Sequence, residues 1–208
     1  MSEKCTIFVG GEPVSAAVLD LEHIVSSVVY GADKGYYLAK DLGIECDVVL
    51  GDYDSSPKPE RDDVLVFPTQ KDDTDLMLAI KHALDAGSKD FQIYGALGGS
   101  ADHLIGNIQS LSFIVKHGGK ALMTGERDTI SLLPPGRYTV PFMQGYSLSL
   151  FSYSEKVTHL SITGAEYEAS DITLDNGFPL AVSNHVSSSS GAKISFESGE
   201  LLVIRSKR

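Results

Sequence analysis

The chain has 208 residues, 42% of them hydrophobic, and 17 Lys and Arg against 28 Asp and Glu leave a formal net charge of −11. That length suffices for one large domain or two small ones with a proper core. The charge excludes nucleic-acid binding through a general basic surface, because that affinity comes from Lys and Arg neutralising phosphates.

No apolar run approaches the roughly 18 residues of a membrane span, and the N-terminal apolar stretch is too short for a signal-peptide core. Two cysteines, Cys5 and Cys46, make no disulfide framework. The expectation is a cytoplasmic protein with free thiols and no membrane association.

In chain order, runs at Thr6–Val9, Ser27–Tyr30, Asp47–Leu50, Val64–Phe67, Phe91–Tyr94 and Ala121–Thr124 read as strands. Most are near-continuously apolar, as strands buried on both faces tend to be. Helical spacing of Leu76, Ile80, Ala83, Leu84 and Gly87, and of Leu104, Ile108, Leu111 and Val115, predicts two helices between the last three runs. The alternation implies an α/β fold over residues 1–126, a mostly parallel sheet flanked by helices (Rossmann-like). Its helix N-termini lie at the carboxyl edge of the strands, where ligands bind.

Over residues 127–208 the helical signal vanishes. Short runs at Thr129–Leu133, Tyr146–Phe151, Val157–Ile162, Asp171–Leu174, Lys193–Phe196 and Leu201–Ile204 are separated by turn residues such as Pro134-Pro135-Gly136 and Asn176-Gly177. This predicts a small antiparallel β-sandwich domain.

Chemistry concentrates in three segments that follow strands. Gly51-Asp52-Tyr53-Asp54-Ser55 puts two carboxylates on one turn. At about 4 Å and an effective dielectric near 20 they repel by about 4 kcal/mol, so such a pair holds a cation, shares a proton or splays into water. Taken alone, a D-x-D is more often a solvated turn.

The second segment, Lys71-Asp72-Asp73-Thr74-Asp75, opens the first helix. Asp72 and Asp73 are explained by capping and the helix dipole. Asp75 is harder to explain that way and, with Asp52 and Asp54, could complete an oxygen-rich Mg²⁺ site, with Lys71 a cation beside them.

The third segment runs from Gly95 to His103, with Asn107 further along the same helix. Gly95, Gly98 and Gly99 let backbone N–H groups approach a phosphate at a helix N-terminus. The spacing fits neither a P-loop nor G-x-G-x-x-G. The plain alternatives are an N-cap for Asp102 and a structural histidine for His103. Tyr36, Tyr37 and Phe178 are taken as core or wall rather than as ring-stacking platforms. Carboxylates, a lysine and exposed amides at one sheet edge suit a metal–phosphate complex, which a chain of charge −11 binds if the nucleotide arrives with Mg²⁺.

Together these segments resemble the thiamine pyrophosphokinase family. The residues that carry the resemblance are Ala32-Asp33-Lys34-Gly35, Gly51-Asp52-Tyr53-Asp54-Ser55, Lys71-Asp72-Asp73-Thr74-Asp75 and Gly95-Ala96-Leu97-Gly98-Gly99-Ser100-Ala101-Asp102-His103 with Asn107. A looser match continues through Gly164-Ala165-Glu166-Tyr167 and Ser183-Asn184.

The resemblance implies transfer of pyrophosphate from ATP to the hydroxyl of thiamine, giving thiamine diphosphate and AMP, with Mg²⁺ as cofactor, in a homodimer. It implies metal ligation by Asp52, Asp54 and Asp75 and catalytic roles for Asp75, Asp102 and Lys71. Nucleotide and substrate contacts fall to Asp33, Lys34, Lys71, Thr74, Gly98, Gly99, Asp102, His103 and Asn107, with Ser183 and Asn184 in the domain that helps enclose thiamine. Lys34 and Ser100 depart from the family's usual glycine and basic residue. Two rival readings are a haloacid-dehalogenase-type phosphatase with Asp52 as nucleophile and a module that binds nucleotide or thiamine without turnover.

Overall fold

The computed structural model describes residues 3–53, 56–68 and 73–208, so Asp54, Lys71 and Asp72 lie outside the described residues. The chain divides into two compact units, Met1–Glu126 and Arg127–Arg208.

In the first unit six strands pair in parallel: β1 (Lys4–Phe8), β2 (Val28–Ala32), β3 (Val48–Gly51), β4 (Leu65–Val66), β5 (Asp90–Tyr94) and β6 (Lys120–Thr124). Their order is β6-β5-β1-β2-β3-β4. Among the described residues four α-helices accompany them: α1 (Leu21–Val25), α2 (Gly35–Asp41), α3 (Asp75–Asp85) and α4 (Ala101–Lys116). The apolar runs explain the pairing, because Ile7, Phe8, Leu50, Phe91 and Ile93 are buried within the sheet, and Ile80 of α3 with Leu111 and Ile114 of α4 are fully buried as well. The chain proceeds from β1 toward β4 on one side and returns to place β5 and β6 on the other. That reversal leaves a crevice at the carboxyl ends of β1 and β5, the place where open α/β sheets bind ligands.

Two expectations need correction here. Thr74, not Asp73, caps α3, its hydroxyl accepting from Met77 N–H at 3.2 Å and its backbone extended (φ −70°, ψ 160°) as a cap requires. Likewise Ser100 occupies the N-cap position of α4, and Asp102 lies in its first turn. The sequence reading also missed α1 and α2, of 5 and 7 residues, which are too short to display an apolar stripe.

The second unit holds β7 (Asp128–Leu133), β8 (Gly136–Val140), β9 (Tyr146–Ser152), β10 (Lys156–Thr163), β11 (Ala169–Asp175), β12 (Ala181–Asn184), β13 (Ala192–Phe196) and β14 (Leu201–Lys207). Strands β12-β9-β14-β7 and β11-β10-β13-β8 pair antiparallel in two runs. Inward residues of both, among them Leu148, Leu150, Val157, Ile162, Ile194, Phe196, Leu201 and Val203, meet in one apolar core. The short strands β8 and β12 were not expected.

Cys5 and Cys46 are buried free thiols, and burial pushes the Cys46 pKa up to about 12. Tyr36 packs on the core and Tyr37 donates to Pro57 O at 2.8 Å, whereas Phe178 is exposed rather than part of a wall. Among the described residues no helix is long and apolar enough to cross a membrane.

Candidate active site

A cleft of about 650 Å³ opens at the carboxyl edge of the parallel sheet. Most of its walls are chain just beyond a strand, joined by the start of α3 and the first turns of α4. Val9, Gly10 and Gly11 follow β1, Asp33 and Lys34 follow β2, Asp52 follows β3, and Gly95 to Asn107 follow β5, while Asp73, Thr74 and Asp75 open α3.

The turn after β2 is held in an uncommon conformation. Asp33 has φ +49°, its N–H donates to Leu50 O at 2.8 Å, and its carboxylate accepts from the Ser56 hydroxyl at 2.6 Å. Two residues on, Gly35 packs so closely on β1 that a Cβ there would collide with the Phe8 carbonyl oxygen. The turn after β3 is strained as well, with Tyr53 at φ +55°, the kind of cost found at functional sites. Burial and the Asp33 and Asp75 carboxylates push the Tyr53 phenol far above its ordinary pKa, and its buried hydroxyl finds no partner among the described residues.

Beyond β5 the Asn107 amide donates to Ala96 O at 2.8 Å, tying α4 back to the glycine turn. The Ser100 hydroxyl and the His103 N–H hold the Asp102 carboxyl below the usual carboxylate range. Among the described residues five carboxylates, Asp33, Asp52, Asp73, Asp75 and Asp102, line the cleft with Lys34 as the lysine. This is a negative site that draws cations and metal-complexed anions.

Of the residues singled out from sequence, Asp33, Lys34, Asp52, Thr74, Asp75, Gly98, Gly99, Asp102, His103 and Asn107 line this one cleft. Ser183 and Asn184 stand on β12 in the second unit. There the buried Asn184 amide accepts from Tyr167 N–H at 3.0 Å and donates to Tyr167 O at 2.7 Å, pinning that backbone. Lining residues to which the sequence gave no site role are Val9, Gly10, Gly11 and Gly106, together with Asp73, read there as a helix cap. The Gly10-Gly11 pair directly after a strand was the available signal.

All-oxygen donors such as Asp52 and Asp75 suit a hard divalent cation. Among the described residues no three His, Cys, Asp or Glu side chains are grouped closely enough to hold one.

Residues 22–123 match the thiamin pyrophosphokinase catalytic domain and residues 124–201 the thiamin pyrophosphokinase vitamin B1 binding domain. The chain belongs to the thiamine pyrophosphokinase family. Within that family it is 35% identical over 184 residues to the thiamine pyrophosphokinase of Bacillus subtilis strain 168, covering 85% of this chain and 86% of the relative. It is similar to the crystal structure of thiamine pyrophosphokinase from Bacillus subtilis, with a TM-score of 0.85 and 31% identity over 98% of this chain and 99% of that one. The thiamin pyrophosphokinase structure from Geobacillus thermodenitrificans gives 0.82 and 27%, with 98% of each chain covered. Membership in the thiamine pyrophosphokinase family displaces the phosphatase reading, in which Asp52 would carry a covalent phosphate.

Proposed function

We propose that the cleft of the first unit binds ATP and transfers its terminal pyrophosphoryl group to the hydroxyl of thiamine, giving thiamine diphosphate and AMP. The observation that carries this reading is the meeting of Asp33, Asp52 and Asp75 with the Gly98–Gly99 turn in one cleft.

In this reading Asp52, Asp54 and Asp75 hold Mg²⁺, which when bound offsets the charge of the phosphate oxygens. Asp33, Lys34, Lys71, Thr74, His103, Asn107 and the amides of Gly98 and Gly99 seat the nucleotide. The thiamine hydroxyl oxygen forms a bond to the β-phosphorus, the bond from that phosphorus to the α,β-bridging oxygen breaks, and AMP leaves with the bridging oxygen. The hydroxyl proton passes to Asp75 or Asp102. Transfers of this kind have loose transition states, so aligning the two substrates matters more than a strong base. The carboxylates also attract the thiazolium cation.

The reading treats the first unit as Rossmann-like and the second as a β-sandwich that contributes Ser183 and Asn184 to the thiamine pocket. The working form is a cytoplasmic homodimer. Incubation with ATP, MgCl₂ and thiamine, followed by chromatography, tests the reaction. Equal amounts of AMP and thiamine diphosphate, formed only with all components present, are expected. Tight ligand binding without AMP release would favour a non-catalytic module.

A further inference from the structure

Glu12 has no part in the chemistry proposed above, yet its side chain reaches across to the glycine turn. Its Oε1 lies 3.5 Å from Gly99 N. The carboxylate rests against Gly98 (φ +81°), where an added Cβ would collide with it. The loop that carries Glu12 is fastened to the same turn, since Gly11 N–H donates to Gly95 O at 2.9 Å. Gly10, Gly11, Gly98 and Gly99 all line the cleft.

A carboxylate is the nearest thing to a phosphate oxygen that a side chain offers, an anion that only accepts hydrogen bonds. A turn leading into a helix N-terminus attracts either group. The 3.5 Å separation is long for a hydrogen bond, so this occupant is weakly held and readily displaced. Glu12 is exposed, so leaving the turn moves it from one solvated position to another and strands no buried charge.

We propose that Glu12 sets the nucleotide affinity of the cleft by competing with a phosphate of the nucleotide for the Gly98–Gly99 seat. This rests on reading the cleft as a nucleotide site. The apparent dissociation constant is then the intrinsic one divided by the fraction of time the seat is free. Occupancy and simple charge repulsion are separable by side-chain length. Aspartate at position 12 keeps the charge but is one methylene too short to reach the Gly99 amide.

Calorimetric titration of wild type, Glu12→Ala and Glu12→Asp with Mg·ATP and with inorganic pyrophosphate tests this. Both variants are expected to bind each probe tighter, by roughly 3- to 10-fold. The KM for ATP falls by a similar factor, and the KM for thiamine does not follow it. Weaker or unchanged binding by Glu12→Ala overturns the role of Glu12, as does a Glu12→Asp variant that binds like wild type. A wild-type protein that takes up neither Mg·ATP nor pyrophosphate overturns the nucleotide reading together with it.

Discussion

The ammonium of Lys81 lies 2.8 and 2.7 Å from the two carboxylate oxygens of Asp73 and 5.9 Å from the centre of the Phe113 ring. At 43% and 31% exposure, the ion pair itself contributes little to stability, about 0–1 kcal/mol. Its consequence is electrostatic, because Asp73 lines a cleft that holds four other carboxylates among the described residues. Lys81→Met is expected to raise the KM for ATP several-fold at low ionic strength, an effect that added salt screens. Asp73→Asn/Lys81→Met should return it toward the wild-type value. A double variant as impaired as Lys81→Met alone would mean that Lys81 acts through helix packing instead. Steady-state kinetics at two salt concentrations decides between these outcomes.

Asp75 is the first residue of α3 and lines the cleft. Its loss has two opposed effects on stability. Removing a favourable charge from a helix N-terminus costs about 0.3–1 kcal/mol, and relief of repulsion from the neighbouring carboxylates offsets part of this. Asp75→Asn should therefore melt within a few degrees of wild type while turnover falls by roughly 10²-fold or more, the scale for groups that act on transition-state charge. Near-normal turnover at low Mg²⁺ would remove Asp75 from the metal assignment.

Strands β1, β2, β3, β5 and β6 and helices α3 and α4 were legible because long apolar runs and sustained 3.6-residue spacing leave few alternatives. Helices α1 and α2 span less than two turns and carry no such stripe. Strand β12 is an edge strand with an irregular register against β9, so its sequence does not alternate cleanly. The aspartate-rich segments were conspicuous because like charges gathered after apolar strands need a reason. Glu12 was not, since a single glutamate in a loop forms no pattern. Its contact with Gly98 arises only because β1 and β5 are paired neighbours. Asp and Thr are both good caps, so the segment does not decide between them; the Thr74 hydroxyl accepting from Met77 N–H does.

The close fit of Gly35 against β1 gives a contrast between two glycines. A methyl group at Gly35 would strike the Phe8 carbonyl oxygen and approach Val9 N to 2.6 Å, and backbone of a central strand cannot give way cheaply. Gly35→Ala is expected to destabilise by about 2–3 kcal/mol. Gly106, inside α4, has nothing within 4 Å of an added Cβ. Gly106→Ala should stabilise by about 0.5–1 kcal/mol through helix propensity. Denaturant midpoints that move in opposite directions would bear out both; equal shifts would contradict the packing argument.

Asn184 makes a test of the second unit alone. Its buried amide satisfies both the N–H and the carbonyl of Tyr167, so truncation leaves polar backbone groups without partners. Asn184→Ala should cost about 1–3 kcal/mol. Asn184→Asp, which loses the donor to Tyr167 O, should fare no better. A wild-type denaturation midpoint in either variant would mean that the Tyr167 segment relaxes into solvent.

His159 Nδ1 lies 2.6 Å from Asp171 Oδ1, and both residues have φ +55°, beside an irregularity in the β10–β11 register. The hydrogen bond to Asp171 first, then the charges of Asp171 and Glu197, raise the His159 pKa above its ordinary value. A raised folded-state pKa means that the folded protein holds this proton more tightly than the unfolded chain does. The resulting stabilisation is fully present below the unfolded value, near 6.5, and is lost as pH climbs through the folded one. The melting temperature of wild type should therefore exceed that of His159→Gln most at about pH 6, and the gap should close on the alkaline side. Added salt should narrow it as well, because both partners are exposed to solvent. A gap that widened with pH would mean that the neutral imidazole is the form the fold prefers, and that the pair is an ordinary hydrogen bond rather than an ion pair.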